Sequence, residues 1–209
     1  GGVLLRAAGG NLEIAATDME LSLRLSADCQ VEGEGAVVAP GRLLVELARI
    51  ASSGDEVEVG VHENQVIFAT SGVWLTTRRI DGQFPNYKQL LPEAFEYELT
   101  VPRIELLEVV KRASVMIQRS TPLQIRFAEG ELTVIARTHE VGESQESMPV
   151  AFTGDTLEMG FNADFLRDGL ESLEGDDVRV KLISPLRPAV IQGDGDDFTY
   201  LVMPIRLPG

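Results

Sequence analysis

Cations, carboxylates, two histidines and one thiol are the side chains in this sequence that could do chemistry. His62 and His139 have no neighbour at metal-ligand spacing, and both read as surface histidines in or near hairpins. Cys29 follows Asp28, and an adjacent carboxylate disfavours the thiolate that a nucleophile needs. Asp55-Glu56, Asp176-Asp177 and Asp196-Asp197 fall at turns, where they read as solvated residues rather than as an acid–base pair. Gly9-Gly10 belongs to a hairpin turn, not to a phosphate loop before a helix. No nucleophile–base or metal constellation emerges, so neither an enzyme nor a bound metal or cofactor is expected.

The cations are more informative. Arg42 and Arg49 are seven residues apart on one helix-like segment, and Arg112 and Arg119 are seven apart on another, with Lys111 beside them. Seven residues is nearly two helical turns, so each pair shares a face. Arg167 lies on a third helix with Asp168, Glu171 and Glu174. Read blandly, these are amphipathic helices with basic outer faces. Read functionally, they present cations to phosphates, a contact that positions DNA without reading its sequence. The chain end, "TYLVMPIRLPG", is the other unusual stretch: an apolar run cut by Pro204 and closed by Ile205, Arg206 and Leu207. Apolar side chains gathered there could take a partner's apolar anchors; the plain alternative is a last core strand with a frayed end.

These residues need elements to hold them. The chain has 209 residues, 44% of them hydrophobic and 24% charged, with a net charge of -15, which suits a globular chain with no non-specific grip on nucleic acid as a whole. One cysteine excludes an internal disulfide and fits a reducing cytoplasm, and no apolar run is long enough to span a bilayer. "LRAAGGNLEIAA" from Leu5 aligns without a gap to "IRFAEGELTVIA" from Ile125, an offset of 120 residues. "GDEVEVGV" from Gly54 aligns to "GDDVRVKL" from Gly175 at an offset of 121. Two matches at nearly one offset predict two homologous domains, residues 1–94 with the linker and residues 95–209.

The second copy reads as strand "EYELTV", a helix from Pro102 to about Gln118, the repeated hairpin, strands "ESQESMPVAF" and "LEMGF", and a helix from Ala163 to about Leu173 capped by Asn162. "DVRVKLIS", "PAVIQG" and "TYLVMPIRL" follow as strands. Ile104, Leu107, Ala113 and Ile117 are expected on the inner stripe of the first helix. The first copy has a helix from Pro40 to Ala51 with Leu43, Leu44, Leu47 and Ala48 inward, and a hairpin turning at Glu63-Asn64. It has no strand and helix ahead of its first hairpin, so roughly two dozen residues of a complete repeat are expected to be absent. "DGQFPNYKQLLPEA" from Asp81 reads as the linker.

Duplicated β-rich domains, basic helix faces and the tail together resemble the bacterial sliding clamp family, the beta subunit of the replicative DNA polymerase. "WLTTRRIDGQFPNYKQLLP", "MGFNADFLRDGLESL", "VRVKLISPLRPAVI" and "YLVMPIRL" carry the resemblance, and the final "RLPG" is similar to actinobacterial members. "GGVLLRAAGGNLEIAATDMELSLRL" resembles the family's first domain, so the chain reads as a first-domain start joined to a middle-domain end, with a crossover near "VVAPGRLLVELAR". The resemblance implies an α+β fold of two clamp-like domains. Antiparallel sheets would lie outside and short helices would line one face, with the first domain lacking its initial strand and helix.

It also implies a homo-oligomeric ring that encircles duplex DNA and tethers polymerase, clamp loader and repair proteins by their short motifs. The peptide pocket would be formed by Leu201, Met203, Pro204, Ile205, Arg206 and Leu207, with Leu186, Pro188, Asn162 and Phe165, and with Pro85, Gln89 and Leu90 of the linker. Gln89 stands at an often basic position. On the opposite wall Thr17 matches the family pattern, and Met19 and Glu20 do not. Arg42, Arg49, Lys111, Arg112, Arg119 and Arg167 would face DNA. The alternative is an interaction module that binds peptides without encircling DNA.

Overall fold

The computed structural model describes residues 1–52, 54–118, 121–138, 142–195 and 197–207. They form two compact units, one of Gly1–Asp18 with Arg24–Asn86, the other of Met19–Leu23 with Tyr87–Gly209. The division at Asn86 falls inside the segment read as linker.

In the first unit, β1 (Gly2–Ala8) and β2 (Asn11–Thr17) form an antiparallel hairpin, followed by the part of β3 (Leu21–Asp28) from Arg24 onward. Gly9 and Gly10 make the turn at φ 58 and 79, a left-handed region that glycine enters without a Cβ penalty. β4 (Gly35–Pro40) pairs with the other edge of β1 and leads directly into α1 (Gly41–Ile50). A meander of β5 (Glu58–His62), β6 (Gln65–Thr70) and β7 (Val73–Arg78) completes the unit, with Glu63 at φ 53 in the tight turn expected at Glu63-Asn64. Alternation decides the core: Leu5, which pairs with Ile14 and Val37, points inward with Ala39, Leu47, Val66 and Phe68. Ala48, expected inward, is exposed, because the buried line of α1 runs through Leu47 with Leu43 and Leu44 half-buried.

The second unit repeats this plan with a strand and a helix ahead of it. β8 (Tyr97–Pro102) runs into α2 (Arg103–Ser114), then β9 (Leu123–Ala128), β10 (Glu131–Thr138), β11 (Gly142–Pro149), β12 (Leu157–Phe161), α3 (Ala163–Ser172), β13 (Asp177–Leu182), β14 (Ala189–Gln192) and β15 (Phe198–Val202). The strands pair antiparallel in the orders β11-β10-β9-β12 and β15-β14-β13-β8. Pro102, expected as the first helical residue, instead closes β8 and occupies the cap position, so α2 begins one residue later at Arg103 and ends at Ser114, short of the expected Gln118. α2 buries Leu106, Leu107, Val109, Val110 and Ala113. Ile104 lies on the opposite side at 53% exposure, so the inner stripe is rotated from the expected one. β15 stops at Val202, because Pro204 has no N–H to continue the ladder.

The repeat is visible in the backbone. Ile125 pairs with Val134 and Phe127 with Leu132, in the register that pairs Leu5 with Ile14 and Ala7 with Leu12. Gly10 and Gly130 sit at φ 79 and 75, and Gly54 and Gly175 at 91 and 93. Met19–Leu23 belong to the second unit through long-range contacts that no local signal in the sequence gives: Leu21 and Leu23 pack against its core.

Candidate functional site

The tail is anchored in the second unit at both ends. Met203 N donates to Glu20 O at 2.8 Å, and Ile205 N donates to Gly160 O at 2.8 Å. Ile205 and Gly160 form an isolated antiparallel bridge at the end of β12. The bridge requires glycine: a Cβ at position 160 would lie 2.6 Å from Ile205 O and 2.8 Å from Leu207 Cδ2. Two residues on, the Asn162 side chain accepts from the backbone N–H groups of Asp164 (2.9 Å) and Phe165 (3.4 Å), which starts α3. Tyr200 OH donates to Phe165 O at 2.8 Å and ties β15 to that first turn. Tail, β12 end and α3 start are thereby fixed together. Ile205 remains 41% exposed and Arg206 is exposed, while Met203, Pro204 and Leu207 are half-buried.

The other expected pocket residues divide by burial. Leu201 is 1% exposed and pairs with Val190, on the face of the sheet opposite Tyr200 and Val202. Pro188 is buried beside Ala189, the partner of Val202, whereas Leu186 stands 64% exposed in the β13–β14 connection. Gln89 is exposed at the end of a 3-10 turn, Tyr87–Gln89, and Leu90 N donates to Tyr87 O at 2.9 Å. Thr17, at the end of β2, and Pro85 belong to the first unit. Pro208 and Gly209 of the "RLPG" end lie outside the described residues. Sequence reasoning missed Gly160, Tyr200 and the backbone of Glu20. Only the small residue in an otherwise apolar strand end could have signalled Gly160, as a point of close backbone approach.

Among the described residues, the helix cations are exposed or half-buried and mostly ion-paired. Arg49 contacts Glu46 at 2.6 Å, and Arg42, also exposed on α1, makes no ion pair among the described residues. Lys111 lies 3.0 Å from Glu171 of α3 and 3.9 Å from Glu108. Arg112 grips Glu146 of β11 with Nε (3.1 Å to Oε2) and with a terminal nitrogen, and lies 4.0 Å from Glu108. The hydrogen bond from Arg112 holds the Glu146 carboxyl below its ordinary range, and the same bond raises the guanidinium. Arg167 contacts Asp164 at 3.0 Å and Asp168 at 3.1 Å. Arg119, His139 and Asp196 lie outside the described residues. His62 is exposed at the end of β5, and Cys29 is half-buried. Asp55, exposed as expected, accepts from Ser71 Oγ and Ser52 N, bonds that lower its pKa. Among the described residues no three His, Cys, Asp or Glu side chains are grouped to hold a metal.

Comparison with known proteins places this geometry. The family model for the C-terminal domain of the DNA polymerase III beta subunit matches residues 88–206, and that for the central domain matches residues 1–86. The start that resembles a first domain therefore falls inside the central-domain match. The beta sliding clamp of Synechococcus elongatus is 33% identical over 216 residues, covering 99% of this chain and 58% of its own length. That of Pseudomonas aeruginosa is 30% identical over 211 residues with the same coverage. The solved DNA polymerase III subunit beta from Pseudomonas aeruginosa superposes with a TM-score of 0.93 at 29% identity, covering 99% of this chain and 58% of that one. A sliding clamp from the same organism bound to griselimycin gives 0.92 at 29% identity, covering 99% and 57%. The chain thus spans under three-fifths of the relatives it matches. With two adjacent domain models filling it almost end to end, the chain belongs to the DNA polymerase III beta subunit family.

Proposed function

We propose that this chain supplies central- and C-terminal-domain parts of a DNA sliding clamp, a non-catalytic processivity factor. It would form a homo-oligomeric ring around duplex DNA and tether polymerase and repair proteins by short apolar motifs. The observation that carries this reading is the anchored tail. Ile205 is held beside the Asn162-capped start of α3 by its bond to Gly160, with its side chain left exposed. A preformed apolar edge with its backbone already satisfied spends little ordering entropy on a ligand. The residues assigned to it are Leu186, Pro188, Asn162, Phe165, Leu201, Met203, Pro204, Ile205, Arg206 and Leu207, with Gln89 and Leu90. The DNA-facing residues are Arg42, Arg49, Lys111, Arg112, Arg119 and Arg167.

The test pairs two assays on the full chain and on a variant ending at Pro204. A fluorescein-labelled short peptide with Leu and Phe anchors is titrated by anisotropy, and retention on closed-circular against linear duplex is measured. The full chain is expected to bind the peptide and to be retained on circles alone, with peptide binding lost in the shortened variant. Peptide binding without circle retention would replace the ring with a peptide-binding module. Equal peptide binding by both proteins would remove the tail from the site.

A further inference from the structure

On the exposed side of α2, the two cations nearest one another are each held by a carboxylate from a different element. Lys111 is met by Glu171 from α3 at 3.0 Å, and Arg112 by Glu146 from β11 through two nitrogens. Glu108, one turn back on α2 itself, stands 3.9 and 4.0 Å from the two cations. None of these side chains is buried: Lys111 is 40% exposed, Arg112 55%, Glu171 43% and Glu146 38%. Exposed ion pairs contribute little to stability, so holding the fold together is a poor account of why two separate elements each aim a carboxylate here. They do, however, occupy the donors that a phosphate would need. A guanidinium that donates through two of its nitrogens to a carboxylate has to exchange one anion for another before it can neutralise a phosphate.

We propose that Glu146 and Glu171 attenuate the affinity of this helix face for the DNA backbone, keeping Lys111 and Arg112 in exchangeable pairs so that contact with the duplex stays weak. The inference rests on the reading that this face meets DNA. Physically, each cation left with its carboxylate is one fewer condensed counterion released from the duplex. The salt dependence of binding is then shallower than the number of cations on the helix would give.

Duplex binding is measured by anisotropy with a labelled 20-base-pair probe, at salt from about 25 to 150 mM, where the electrostatic contribution is large. The proteins are wild type, E146Q/E171Q, K111A/R112A and E129Q. Glu129, exposed in the β9–β10 turn and in no ion pair among the described residues, controls for the loss of a carboxylate charge, one against the two lost in E146Q/E171Q, away from this face. The double glutamine variant is expected to bind about three- to tenfold more tightly at 50 mM salt, with a slope of log K against log salt steeper by about 1 to 2. E129Q is expected to show neither change, and K111A/R112A to bind more weakly than wild type. If E146Q/E171Q matches E129Q while K111A/R112A weakens binding, the face meets DNA and the attenuating role is refuted. If K111A/R112A also binds like wild type, the face does not meet DNA, and both the reading and the inference fall.

Discussion

Replacing Gly160 by Ala tests whether the bridge to Ile205 holds the tail in place. The new Cβ would sit 2.6 Å from Ile205 O and 2.8 Å from Leu207 Cδ2, with Leu207 Cγ at 3.3 Å. Leu207 can rotate away, but a carbonyl oxygen moves only with its backbone, so the tail must retreat by roughly 0.8 Å, from 2.6 Å, to reach ordinary contact. The bond from Ile205 N to Gly160 O, now 2.8 Å, lengthens or breaks. A lost backbone bond costs about 1 kcal/mol, and crowding in a packed region costs about 1–3 kcal/mol. Because a chain end yields more readily than a core, the lower half of that range applies, about 1–2 kcal/mol. If the tail's displacement costs the peptide site the same amount, affinity falls roughly 5- to 30-fold. Three measurements follow it: peptide anisotropy, thermal unfolding, expected roughly 2–8 °C lower, and exchange of the Ile205 amide, expected to lose protection. An unchanged Ile205 exchange rate together with wild-type peptide affinity would refute the reasoning, since the tail would then be fixed by something other than this bridge.

Gly169 on α3 carries a similar constraint inside the fold. A Cβ there would overlap Tyr200 Cε1 and lie 2.7 Å from Cδ1, and Tyr200 is 3% exposed, so Gly169→Ala is expected to destabilise by about 2–3 kcal/mol on chemical denaturation. A loss within experimental error would mean that the ring has room to move. Glu146 gives the pH prediction. Its carboxyl pKa is lowered first by the hydrogen bond from Arg112, so the pair's stabilising contribution is present above the ordinary carboxylate range and is lost as pH falls through the depressed value. In Arg112→Ala, the Glu146 carboxyl carbon is expected to titrate at higher pH by NMR, and the stability difference from wild type to close on acidification. Titration at the same pH in both proteins would show that the pair is not formed in solution.

How much of this was legible in the sequence depends on what kind of signal each residue carries. The hairpins were legible because the repeat fixes register as well as existence: Leu5 with Ile14 and Ile125 with Val134 are one pairing written twice. The Asn162 cap was legible because capping is local. Helix phase was less so. α2 buries residues at adjacent positions, Leu106 with Leu107 and Val109 with Val110, so a stripe drawn through Ile104 fits the apolar pattern nearly as well as the true one. Alternation in "VEVGVH" identified β5, but every residue of that strand is exposed, with Val59 at 41% and Val61 at 55%. A period of two tells which side of a sheet a residue takes, not whether anything covers that side. Leu201 makes the converse point: it faces away from the core formed by Tyr200 and Val202, yet is buried.

The charged residues show where a one-dimensional reading ends. Seven-residue spacing correctly puts Arg42 and Arg49 on exposed positions of one helix, and local spacing also reveals partners within the helix, such as Glu46 for Arg49 and Asp164 for Arg167. It cannot reveal Glu146 or Glu171, which lie 34 and 60 residues along the chain from the cations they hold and reach them only because β11 and α3 flank α2. A helix face that counts as basic by its own residues is therefore nearly neutral once its neighbours are included. For a contact that must hold a polyanion tightly, such pairing would be a defect. For a contact that must slide, it is an advantage, because each phosphate met along the duplex competes with an anion already in place and no single register of the helix is favoured over the next.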